Sequence, residues 1–88
     1  MNAEAYPHIG ALMARGGHIM VGHVKPVPGA AIAHDGRQTL AMLRQHPGEA
    51  IDALLARLDA AIATAERTGT RVDEINTAGA PTRARYVK

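Results

Sequence analysis

PGEAIDALLARLDAAIATAERTG, residues 47–69, is the stretch whose reading decides the fold. Within it Ile51, Leu54, Leu55, Leu58, Ala61, Ile62 and Ala65 recur at the spacing of one helix face. Such a face must be buried. Pro47 suits a first helical turn, where a missing N–H costs nothing, and Gly69 stands where a helix end calls for positive φ. Glu49 and Asp52 near the start and Arg67 near the end follow the charge order that a helix dipole favours. The spacing predicts one long amphipathic helix over about residues 48–68.

Upstream of this helix the pattern changes from helical to extended. His18–Val24 is short and β-branched and reads as a strand, closed by Lys25-Pro26-Val27-Pro28-Gly29 as a turn. Ala30–His34 reads as a second strand, and Asp35-Gly36 is a hairpin signal. Gln38–Arg44 fits a third strand or a short helix, since Leu40 and Leu43 share a helix face too. A strand is favoured, because Pro47 leaves too little length for a stable helix. Residues 1–17, with Gly10, Gly16 and Gly17, read as a mobile leader with at most a turn of helix around Ala11–Arg15. Val72 and Ile75 offer anchors beyond the helix, and residues 77–88 read as a mobile basic tail. The expected fold is α+β in a single domain over residues 1–88, a small antiparallel meander of two or three strands (about residues 18–44) packed on the long helix with flexible termini.

Composition limits the core and the chemistry. Of the 41 hydrophobic residues 18 are Ala, Phe and Trp are absent, and Ile, Leu, Val and Met supply 21. A chain of 88 residues with no Cys has no disulfide to compensate. An apolar helix face with so little to cover it points to a second copy, so Ile51, Leu54, Leu55, Leu58 and Ile62 are expected to form core and interface of a homodimer. No stretch approaches the length of an apolar membrane span, and the first residues lack the basic and apolar regions of a signal peptide. A cytoplasmic protein that touches no membrane is the expectation, without a cofactor.

The charges are modestly polarised: residues 25–46 and 70–88 each carry +2, whereas residues 47–69 carry −2. Asp52, Asp59 and Glu66, seven apart, form an acidic stripe beside the apolar face. It is read as a solvated flank, or as a match for arginines of another chain. Arg37 and Arg44 on the third strand, with Arg83, Arg85 and Lys88 around Tyr86 in the tail, are the candidate contacts to nucleic acid. The leading function is a non-catalytic interaction or regulatory module.

Five histidines, His8, His18, His23, His34 and His46, are the chemical oddity. None of their spacings is that of a zinc motif. If the strands flanking residues 25–29 pair, His23 falls nearly opposite His34, with Asp35 close behind. These three are the candidate residues of an alternative metal- or His-dependent catalyst. A shift of register by one residue destroys that site. The chain has no Ser, and its Thr hydroxyls show no paired general base.

Overall fold

A computed structural model describes residues 5–24 and 27–75. The chain runs α1 (Pro7–Ala14), β1 (His18–Val24), β2 (Val27–His34), β3 (Thr39–Arg44), α2 (Ile51–Thr68) and β4 (Val72–Asp73). The four strands form one sheet in the order β1-β2-β3-β4. The first three make the expected antiparallel meander. The fourth corrects it: β4 lies parallel to β3, with Ala41 opposite Val72 and Met42 opposite Asp73, so the sheet is mixed and four-stranded. Val72 anchors the chain as expected, but by joining the sheet edge after α2 has crossed over.

Register follows from where the turns fall. β1 and β2 pair His18 with His34, Met20 with Ile32 and Gly22 with Ala30, then slip through a bulge to pair Val24 with Val27. β1 ends at Val24 and β2 begins at Val27, so Val27, Pro28 and Gly29 belong to β2 rather than to a turn. Pro28 is tolerated there because it faces the bulge and lies beyond the last β2–β3 pair, so its missing N–H breaks no ladder bond. β2 and β3 are joined by residues 35–38, where Asp35 Oδ1 accepts the N–H groups of Arg37 and Gln38, both at 2.8 Å. Those bonds, Gln38 first, hold the Asp35 carboxyl below its ordinary 3.8. Thr39–Arg44 is a strand, and Leu40 bulges out of the ladder to reach the core.

α2 starts at Ile51, three residues later than the spacing predicts. Pro47 and Gly48 instead form a turn closed by the Glu49 N–H to the His46 carbonyl, 2.9 Å. Gly69 ends the helix at φ +75°, as predicted. Leu54, Leu58, Ala61, Ile62 and Ala65 of α2 are buried against Ala31, Ala33, Ala41 and Leu43 of the sheet. Alanine on the sheet side lets the helix approach closely, which is how an alanine-rich chain closes a core around only six large, fully buried side chains.

α1 is the main departure from expectation. Residues 7–14 are not leader: they form a helix whose Ile9 and Leu12 are completely buried in the same core. Arg15, Gly16 and Gly17 close it as a Schellman motif, with Gly17 N–H to the Leu12 carbonyl at 2.9 Å, Gly16 N–H to Met13 at 3.2 Å, and Gly16 at φ +94°. Tyr6 supplies no side-chain cap at the other end. Asp59 of α2 does so, its Oδ1 accepting the N–H groups of His8 and Ile9, both at 2.8 Å. Glu66, two turns further along α2, pairs with Arg15 just past the α1 C-terminus. Asp59 and Glu66 of the acidic stripe thus hold α1 at its two ends, whereas Asp52 is exposed, and the two helices run side by side in the same direction.

Candidate functional site

Both helices lie on one side of the sheet, the side of Ala31, Ala33, Ala41 and Leu43. Alternation puts His18, Met20 and Gly22 of β1, Ala30, Ile32 and His34 of β2, and Met42 and Arg44 of β3 on the other side. Among the described residues no element covers this second face. Met20 is 54% exposed, while Ile32 and Met42 are half-buried by their neighbours. The register lines these three up as an apolar row running across the strands from the β1 edge.

His18 and His34 stand one row away, directly opposite each other, their rings stacked at 5.2 Å between centroids and 16° between planes. His34 Nδ1 accepts the Gly36 N–H at 2.9 Å, which fixes its ring over the β2–β3 loop. This corrects the proposed site at His23, His34 and Asp35. His23 falls in the bulge between Gly22 and Val24, at the far end of β1, and the residue opposite His34 is His18. Asp35 spends its Oδ1 on the loop backbone. Among the described residues no group of three or more His, Asp or Glu is placed to hold a metal ion.

The predicted basic contacts are not brought together. Arg37 is exposed in the β2–β3 loop, not on a strand, and Arg44 is exposed at the opposite end of β3. Arg83, Arg85 and Lys88 lie outside the described residues. The predicted interface residues divide as well: Leu54, Leu58 and Ile62 are 0–1% exposed within the chain's own core, and Leu55 is packed against it. Ile51 alone of the five is open, at 51%. Sheet and α1 cover the helix face, so no second copy is needed to bury it.

One cluster that charge counting missed joins the β3–α2 connection, α2 and the residue after β4. Arg57 donates Nε and Nη2 to Glu49 at 2.8 and 2.9 Å and Nη1 to Glu74 at 3.0 and 3.2 Å. Its Nη2 also reaches the Arg44 carbonyl at 2.8 Å. Hydrogen bonds from Arg57, then from the His46 N–H, hold the Glu49 carboxyl down to about 2. The Glu49 side chain is 9% exposed and every one of these partners is backbone or ion pair, the arrangement of a structural clamp.

Two shallow clefts open on the surface of the described residues. One, about 420 Å³, lies between Gln38–Leu40 and the end of α2 and sets Thr39 and Thr70 near Arg71 with no His, Asp or Glu in its lining. The other, about 500 Å³, between Pro28–Gly29 and Arg44–Gly48, has His46 in its lining but no hydroxyl or carboxylate. Neither pairs a nucleophile with a base. Among the described residues no helix is long and apolar enough to cross a membrane. Comparison of the chain with protein-family models, curated proteins and solved structures finds no match.

Proposed function

We propose that this chain is a small non-catalytic interaction module whose binding surface is the uncovered side of its sheet together with the β1 edge. The observation that supports it best is the row Met20, Ile32 and Met42, which meets an edge strand rather than a covering helix. Sheets with one solvated face normally alternate apolar inward and polar outward. Here the outward positions carry two Met and an Ile. Nucleic acid draws less from the geometry, since Arg37 and Arg44 are separated by the length of β3.

The test is a library of displayed extended peptides, panned on the full chain beside labelled duplex DNA at several salt concentrations. The expected result is selection of β-forming apolar peptides whose affinity falls about tenfold or more, roughly 1.4 kcal/mol, on Met20→Lys. That exposed substitution should leave stability within about 0.5 kcal/mol. Salt-dependent DNA binding with no selected peptide would overturn the proposal in favour of a nucleic-acid protein.

A further inference from the structure

The sheet has two edges, and they differ in kind. β4 is two residues long, contains Asp73 and is followed by Glu74. β1 is seven residues long and contains no Lys, Arg, Asp, Glu or Pro. Natural edges are usually blunted by charge, proline or brevity, and β1 has none of these over its regular part. Of the four large apolar side chains exposed among the described residues, two, Met20 at 54% and Val21 at 36%, are neighbours on this strand and point to opposite faces.

We infer that two copies of the chain pair edge to edge through β1, antiparallel about a twofold axis at Met20, joining two four-stranded sheets into one of eight strands. This rests on the sheet-mediated reading above and names its partner. A head-to-tail arrangement would need β1 to pair with β4, which is too short to hold it, so the self-pairing that closes is the isologous one. The axis follows from the bulge. Regular pairing of β1 with β2 runs from His18 to Gly22, and its centre is Met20. About that centre Met20 meets the partner's Met20, Ile19 meets the partner's Val21, and His18 meets the partner's Gly22.

Each contact answers something exposed in the single chain. The Met20 pair makes the apolar row continuous from Met42 of one copy to Met42 of the partner subunit. The Ile19 and Val21 pairs cover Val21 on the helix side. Glycine opposite His18 leaves room for the His18–His34 stack. No like charges oppose across the joint.

The chain has no cysteine, so single-cysteine variants report the joint directly. Directly opposed residues on antiparallel strands have Cα atoms about 4.5–5.5 Å apart, inside the range a disulfide spans. Under mild oxidation Met20→Cys is expected to form a covalent dimer about tenfold or more faster than Ala56→Cys on the solvent side of α2, because a paired thiol sees a far higher effective concentration. Sedimentation of the full wild-type chain from about 1 to about 300 µM, where small interfaces dissociate, should give a dimer mass that Met20→Lys reduces to monomer, with the two melting temperatures agreeing at the dilute end, where the wild type is dissociated. Equal cross-linking rates with a monomeric wild type overturn the pairing. If displayed peptides still bind, the interaction module stands and its partner is another chain; if they do not, both fall. Fast cross-linking at Val21→Cys but not at Met20→Cys overturns the register.

Discussion

Asp59→Ala tests how α1 is held. One carboxylate oxygen accepts two backbone N–H groups at 2.8 Å, and that of Ile9 is buried. Loss of a helix N-cap costs about 1 kcal/mol. Leaving the Ile9 donor unsatisfied in the interior adds about 1–2 kcal/mol, because water cannot replace the carboxylate there. The expected total is about 2–3 kcal/mol, out of a stability on the order of 4–13 kcal/mol for a chain of this length. In a domain this small it lowers the melting temperature by roughly 10–20 °C. Asp59→Asn keeps an acceptor oxygen and should lose about 1 kcal/mol. Urea denaturation of both variants, with Asp52→Ala as an exposed control on the same stripe, gives the magnitudes. Amide exchange locates them, with faster exchange in residues 8–17 and little change in the β2–β3 ladder. Asp59→Ala within about 0.5 kcal/mol of wild type would refute the docking of α1 on α2.

The Arg57 clamp predicts a pH signature. Glu49 has its carboxyl held at about 2 against an ordinary 4.5, so it contributes stability above pH 4.5 that is lost as pH falls toward 2. Glu49→Gln should therefore flatten that part of the acid limb in denaturation midpoints measured against pH; an unchanged limb would remove Glu49 from the clamp. Arg57→Met leaves Glu49 and Glu74 facing each other and should cost about 1–2 kcal/mol by urea denaturation, with Arg57→Lys recovering less than half, since an ammonium cannot bridge two carboxylates and a carbonyl in one plane. Leu58→Asp, at a position fully buried, should cost about 3–5 kcal/mol and unfold most of the chain by circular dichroism, whereas Ile51→Asp at an open position should be close to neutral. Equal effects at the two positions would contradict the helix orientation.

Much of this architecture was legible in the residues, and the misses share a cause. α2 and the meander are carried by local periodicity and by Asp35-Gly36, and both are present. α1 was missed because only Ile9 and Leu12 face inward and its cap comes from Asp59, about fifty residues away. Yet Gly16-Gly17 after Leu12 and Met13 was a local signal of a Schellman close, read as looseness instead. β4 has two residues and no pattern to detect. The Arg57 clamp is likewise tertiary: nothing in the spacing of Glu49, Arg57 and Glu74 brings them together until β4 lies beside β3.

The histidine site turned on strand register, in which a slip of one residue changes the face of every side chain and which the residues around a turn do not fix alone. A hairpin closed over residues 25–29 sets Val24 against Ala30 and so His23 against Ala31, three residues short of His34, so the expected pairing of His23 with His34 does not follow even from that turn. In the structure β1 ends at Val24 and β2 begins at Val27, and the strands bring His18 to His34 and Met20 to Ile32. That register leaves His23 apart from His34 and lines up Met20, Ile32 and Met42 across the sheet. The helix face behaves in the opposite way. Its leucines are as buried as their spacing demands, but by the chain's own α1 and sheet, so α2 asks for no second copy, and among the described residues the long strand left without a partner on its outer edge is β1.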